Sequence, residues 1–469
     1  MTIDTERPAT VDSLAAELSE SVLQPGAPGW KDAIASFNRV HTHTPDLVVC
    51  ARTASDVQAA VRFAAAQRLP VGVRATGHGA TVPIDAGVLV STRLLDSVRI
   101  DPARRTATVG AGARWRSVID LAAPHGLAPL NGSSSDVGVV GYTLGGGLPV
   151  IGRTFGFSAD RVCSLEVVTA DGKLHRVDAD TDPELFWALR GGAGNVGIVT
   201  EMTVELVEVA SILAGGIFFA AEHIPRVLRA YREWSATLPD VTSTSLAVLR
   251  LPPLPDIPEP LRGRIVAHLR FCHVGDPGDG ERQVSLMRSI CPVLMDTVHE
   301  MPYREIDTIH QDPQHPVPVY ERSLLLRELT EETVAALLGV VGPEVHSTVM
   351  VCELRQMGGA LRSRPCAPSA VGGRDAAFAL IVIGALAPPI TSQVPPDVDR
   401  VIASVAPWST GQTLLNLHGA PGDEADRSRA WDPATYERLR DLVRRVDPAG
   451  LFCFGHAIER DRGIGRAQP

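Results

Sequence analysis

The chain has 469 residues, 45% of them hydrophobic and 21% charged, enough apolar material for more than one core, so two domains are expected. Its 44 Lys and Arg stand against 54 Asp and Glu, a net charge of −10 without a basic block, which argues against nucleic acid or an anionic membrane as partner. The polar start lacks the apolar region of a secretory signal, no run suits a membrane span, and the seven scattered cysteines never fall as C-x-x-C, so a cytoplasmic protein with reduced thiols is expected.

In chain order, residues 1–45 read as a helical lead-in built on "SLAAELSESVL" and ended by "QPGAPGW". "DLVVCA" predicts a strand, and "TASDVQAAVRFAAAQ" an alanine-rich helix with Thr53 or Ser55 as cap. "PVGVRA" and "GVLVST" predict strands, "SVRIDPARRTATVG" a hairpin, and "RWRSVIDLAAPHG" a helix ended by Gly126. "RVCSLEVVTADGKLHRVDA" is a hairpin closed by Asp171-Gly172, then come a short helix in "PELFWALRG" and a long strand in "GIVTEMTVELVEV". From Ser211 the texture changes to strands "LAGGIFFA", "STSLAVLRL" and "GRIVAHLRFCHV" around a helix, "IPRVLRAYREWSATL", with proline-rich connectors "PPLPDIPEPL" and "QDPQHPVPVY". Residues 211–410 are read as a second domain. "LLNLHGAPGD" and the helix "PATYERLRDLVRRVDP" close the chain, and the tail "RDRGIGRAQP" is expected to be mobile.

Glycine carries the strongest chemical signal. "GAGNVG" at 192–197 fits G-x-G-x-x-G, but helix precedes it and strand follows, the reverse of a dinucleotide fingerprint. "NGSSSDVGVVGYTLGGGLPVIGRTFG" (131–156) holds eight glycines among valines and leucines, which predicts a buried loop whose N–H groups need partners. A pyrophosphate cradled by them would supply those partners. "RATGHGA" (74–80) repeats the logic around one histidine, His78. No carboxylate or second histidine lies near it at ligand spacing, so no metal is expected. From the residues alone His78 is a histidine beside a bound dinucleotide.

Together these stretches resemble the FAD-linked oxidases of the vanillyl-alcohol-oxidase fold, in the berberine-bridge-enzyme-like branch. The carriers are Arg74-Ala75-Thr76-Gly77-His78, "VGVVGYTLGGG" (137–147), "RTFGFSAD" (153–160), "DPELFWALRGGAGNVGIVTEMTVEL" (182–206) and "VDPAGLFCFGHAI" (446–458). The resemblance implies an α+β chain: a PCMH-type FAD domain of two α/β subdomains (46–210), a substrate domain with an antiparallel sheet over the flavin (211–410), and a C-terminal segment (411–469) completing the FAD domain. It implies an oxidoreductase that passes a substrate hydride to flavin N5, with O2 as reoxidant and a small molecule such as a sugar or secondary metabolite as substrate. An oxygenase acting on an enolisable polyketide-like substrate and a flavin-containing cyclase are the alternatives. It also implies a flavin bonded at its 8α carbon to His78. Cofactor contacts would fall on Arg74, Ala75, Thr76, Gly77, His78, Gly79 and Ala80, on Ser134, Asp136, Val137, Gly138, Gly141, Tyr142, Thr143, Gly145 and Gly146, and on Gly197, Ile198, Val199, Asn416, Gly455 and His456.

Two departures from the family matter. The family's second tether is a cysteine, and Ser134 stands in its place, so a single bond through His78 is expected, with no cysteinyl link. The family's Y-x-N tyrosine is Leu414, although Asn416 persists, so another base is needed. Glu353 in "VCELRQMGGAL" is the first candidate, with Arg355 on the same strand face. Burial over an apolar flavin face would raise its pKa. Arg355 would orient the substrate or pair with Glu353, and Tyr142, Tyr303 and Tyr320 are lesser candidates for the base.

Overall fold

Three sheets carry the fold, in a computed structural model that describes residues 10–19 and 22–458. The tail from 460 onward lies outside the described residues. The first sheet joins β1 (Val22–Leu23), β2 (Leu47–Cys50), β3 (Val71–Arg74) and β4 (Val88–Ser91) in the order β1-β2-β4-β3. β4 runs parallel to both β2 and β3, and β1 is antiparallel to β2. The crossover from β2 to β3 is the helix Ala54–Gln67. Thr53 accepts from Asp56 N while the Asp56 carboxylate accepts from Thr53 N, a closed capping box, and Arg68 ends the helix in the left-handed region. Val71 N donates to Leu451 O, so the C-terminal segment lies along this sheet, and Leu451 and Phe452 join its core.

Among its described residues the lead-in is helical at Val11–Glu17 and Trp30–Ile34. Val22–Leu23 instead pairs with β2, and Gly26 and Gly29, both at positive φ, turn the chain between strand and second helix.

The second sheet is antiparallel. Its chain segment contains β5 (Val98–Asp101), β6 (Thr106–Gly110), β7 (Leu127–Ala128), β8 (Val162–Val168), β9 (Leu174–Val177), β10 (Ile198–Glu205) and β11 (Val207–Glu208). The order is β5-β6-β10-β8-β9, and β7 pairs separately with β11. Gly172 at φ +73° closes the β8–β9 hairpin at the expected Asp-Gly. The glycine-rich stretch is not loop throughout: Val139–Leu144 and Gly152–Phe155 are short helices. Thr143 Oγ1 donates to Val139 O inside the first, a local bond that glycine count does not reveal.

The third sheet has eight strands: β12 (Ser211–Ala220), β13 (Thr242–Arg250), β14 (Ile265–His273), β15 (Val293–Asp296), β16 (His299–Pro302), β17 (Val319–Leu326), β18 (Val351–Gln356) and β19 (Phe378–Ala385). The main path is β15-β12-β14-β13-β18-β19-β17, antiparallel throughout. One face is apolar. Leu246, Val248, Leu269, Cys352, Leu354 and Leu380 pack there against Val227 and Tyr231 of the helix Ile224–Ser235 and against helices Glu331–Val341 and Val394–Ser404. The other face combines an apolar patch, Phe218, Ala247, Leu249 and Val266, with buried charged residues. The mixed α+β architecture is the one the sequence implied.

Candidate active site

His78 follows β3 on a loop that glycine makes possible. Gly77 has φ +75°, and a Cβ there would come within 2.9 Å of Ser36 Cα, so no side chain fits. At Gly79 an added Cβ would meet nothing within 4 Å. The imidazole is stacked on Phe37, ring centroids 3.9 Å apart, and Nδ1 is bonded to Thr76 Oγ1 at 3.0 Å. Nε2 is buried and has no partner. Burial, and then Arg114, push the His78 pKa down to about 4, so the ring is neutral at physiological pH. Arg74 points elsewhere: its guanidinium binds Ala33 O and Ser36 Oγ and fixes the N-terminal segment.

The second glycine loop lies against the first. A Cβ on Gly138 would touch Thr76 Oγ1 at 3.6 Å and Ala75 Cβ at 3.7 Å. Asp136 pairs with Arg114 at 3.2 Å on the rim. Asn416 Nδ2 donates to Tyr142 O at 2.8 Å, and a Cβ on Gly145 would run into the Asn416 side chain. Asn416 therefore latches the C-terminal region onto Val139–Leu144. A Cβ on Gly141 would meet nothing within 4 Å, whereas Gly146 is backed by Val371. Ser135 N and Oγ both donate to Asp307, which draws the third sheet's connector onto this loop. Ser134 and Val137 are partly buried beside it. Ile198 and Val199 bury their side chains in the cores behind β10, so any cofactor contact from Gly197–Val199 comes from backbone. Asn195 ties the C-terminus in place through His456 O and Ile458 N, beside the exposed Gly455.

The opposite face of the third sheet, away from its helices, carries the charged groups. Register sets Arg270, Ser245, Arg355 and Ala379 in one cross-strand row, and Ala247, Glu353, Ile381 and Ser323 in the next. Glu353 is 2% exposed. Arg355 donates Nε and Nη2 to its two carboxylate oxygens at 2.9 and 3.2 Å, Ser245 Oγ donates at 2.6 Å, and Arg270 Nη1 lies 2.7 Å from Oε1. The raised pKa expected for Glu353 is overturned. Burial alone would raise it, but Arg270, Arg355 and His310 together hold the carboxyl well below the ordinary range. A carboxylate so gripped is no base.

The raised carboxyl is Glu321 instead, on β17, where burial pushes it up to about 7 and no hydrogen bond stabilises the charge. His310 ends the short helix Asp307–His310 and is 8% exposed. Its Nε2 lies 3.7 Å from Glu353 Oε1, and its Nδ1 is buried without a partner. Burial and Arg270 keep its pKa below the ordinary value. The tyrosines serve otherwise. Burial raises Tyr142, so its phenol stays protonated. Tyr303 donates to Pro129 O and Asn131 Oδ1 in the core, and Tyr320 to Asp399 at the sheet edge. Leu414 packs with Phe157, Leu325 and Ala379. A cavity of about 40 Å³ opens among Pro149, Ser243, Arg270, His310 and Arg355, room for roughly three water-sized positions. Arg153 closes its floor by donating to Thr242 O and Met357 O.

A family model described as an FAD binding domain matches residues 45–178, which contain both glycine loops and His78. This stretch is similar to the FAD-binding part of FAD-linked oxidoreductases. Its sequence is 36% identical over 203 residues to (R)-6-hydroxynicotine oxidase of Paenarthrobacter nicotinovorans, covering 42% of this chain and 44% of that protein. It is 30% identical over 227 residues to an FAD-dependent monooxygenase of Penicillium roqueforti, covering 47% and 44%. These matches span less than half the length of either relative. The fold agrees over nearly the whole chain: the crystal structure of 6-hydroxy-D-nicotine oxidase from Arthrobacter nicotinovorans superposes with a TM-score of 0.83 at 23% identity, covering 94% of this chain and 98% of that one.

The residues of this chain fit the cofactor. An orphaned, neutral His78 Nε2 sits on the loop next to Gly79, and both Gly79 and, on the second loop, Gly141 have open space where a side chain would stand. Among the described residues no group of three His, Cys, Asp or Glu suits a metal, and no helix is long and apolar enough to cross a membrane.

Sequence reasoning missed four residues around Glu353 and Arg355. Arg270 had a signal: His268 and Arg270 alternate along an otherwise apolar strand, which sets both on one face. Glu321 and Ser323 alternate in the same way on β17. His310 had none, because it arrives from an irregular segment anchored by Asp307.

Proposed function

We propose that this chain is an FAD-dependent oxidase of a small molecule, with the flavin bonded to His78 and His310 taking the substrate proton. The observation that carries the reading is the buried, unpartnered, neutral His78 Nε2 on a glycine-flanked loop facing a second glycine loop. In the tautomer that donates Nδ1–H to Thr76 Oγ1, the lone pair available to the flavin is on Nε2. Phe37 holds the ring plane for that bond. Ser134 offers no second attachment. FAD, when bound, supplies the hydride acceptor that O2 reoxidises.

His310 does the proton work because Glu353 cannot. The Glu353 carboxylate, 3.7 Å from Nε2, favours the Nε2–H tautomer of His310 through its charge, which leaves the Nδ1 lone pair to receive a proton. Once protonated, His310 forms an ion pair with Glu353, so the product of proton transfer is stabilised where it forms. Arg153 and the strand β13 exclude water from this wall of the cavity.

The test is turnover in air with peroxide counted against product: one peroxide per product supports the oxidase. A second reading, oxygen insertion, draws on the monooxygenase named among the relatives and on Leu414 in place of a phenol. Product carrying label from 18O2 without matching peroxide would favour it.

A further inference from the structure

We infer that the cavity beside His310 binds the carboxylate of an anionic substrate between Arg270 and Arg355. This rests on the reading of that cavity as the substrate site. Three guanidinium groups line it: Arg153 pairs with Asp240, and Arg270 and Arg355 share one carboxylate, Glu353. The two histidines that touch the cluster, His268 and His310, are held neutral by burial and by Arg270. Arg270 and Arg355 therefore carry one positive charge more than the carboxylate they share, and Asp312 and Glu321 offset it only at a distance, an arrangement that burial penalises until an anion arrives.

The donors needed are already free. Arg270 spends Nε on His268 Nδ1 and Nη1 on Glu353, leaving Nη2. Arg355 spends Nε and Nη2 on Glu353, leaving Nη1. Ser243 Oγ, also in the wall, has no partner. Two carboxyls approach Arg355 from other elements, Glu321 on β17 and Asp312 after His310, and neither makes an ion pair with it. The cavity volume suits a carboxylate better than a sugar ring. A carboxylate there, with one oxygen toward each arginine, would direct the rest of the substrate out of this wall.

The test titrates the flavin-loaded protein with benzoate and with benzamide, its neutral isostere, by calorimetry and flavin absorbance. Benzoate is expected to bind at least 10-fold more tightly. Arg355→Met should erase that preference, and Glu353→Gln, which removes the competing carboxylate, should strengthen benzoate binding several-fold. Should either variant fail to fold, the comparison of the two probes on the unaltered protein decides alone. Equal binding of the two probes, tighter benzamide, or no benzoate binding overturns the proposal. Flavin content separates the two readings. A chain that prefers benzoate yet retains no flavin contradicts the cofactor reading only, and a flavin-loaded chain indifferent to charge contradicts this one only.

Discussion

Arg355 holds both oxygens of Glu353, its neighbour two positions back on β18, through Nε at 2.9 Å and Nη2 at 3.2 Å. Together with Arg270 it converts a buried carboxyl from a base into an anchor. Glu353→Gln should therefore destabilise the fold by about 3–5 kcal/mol, because it leaves two guanidinium groups facing a neutral amide. Thermal unfolding measures this. The sign with pH follows: a depressed carboxyl stabilises above its unfolded value and loses that contribution as pH falls through the folded one. Wild type should thus lose stability in acid more steeply than the variant.

His310→Gln should lower kcat by about 10²–10⁴-fold, the range of a lost general base. In wild type the neutral imidazole is the working form, and its pKa lies below the usual 6.5. Activity should therefore hold as pH falls to 6.5 and decline only below it. Profiles of kcat/KM against pH check this, and the variant should lack that acid limb.

Glu321 gives the opposite stability trend. Its folded pKa of about 7 lies above the ordinary 4.5, so the native state holds an extra proton between those values. Stability is lost as pH rises from 4.5 to 7. Glu321→Gln should be unchanged below pH 4.5 and more stable by about 1–3 kcal/mol above pH 7, after discounting for partial exposure. Denaturant titrations at both pH values measure the difference.

Gly77→Ala should be destabilising by about 1–3 kcal/mol, since it combines positive φ with a Cβ pressed on Ser36. Covalent flavin content should fall with it, because the loop that aims His78 must shift. Flavin fluorescence of the denatured chain reads the effect.

Much of this is legible in the sequence. The Asp171-Gly172 turn, the Thr53 cap and the shared face of Glu353 and Arg355 follow from local rules and appear as expected. The protonation state of Glu353 was not legible. It depends on Arg270, which reaches it across two strand pairings, and on His310, which the Asp307–Ser135 bonds bring in. The short helix at Val139–Leu144 was hidden because glycine lowers propensity while burial between the two loops favours order. Arg74 illustrates the same limit, since alternation sets a strand face but not which neighbour a long side chain finds.

The central claim is that His78 is the sole covalent hold on the flavin. Proteolysis of the denatured protein followed by peptide mass mapping tests it most directly. The expected result is flavin mass on the peptide containing His78, none on the peptide containing Ser134, and no covalent flavin in His78→Ala. Flavin released from wild type on denaturation, or still attached in His78→Ala, would contradict it.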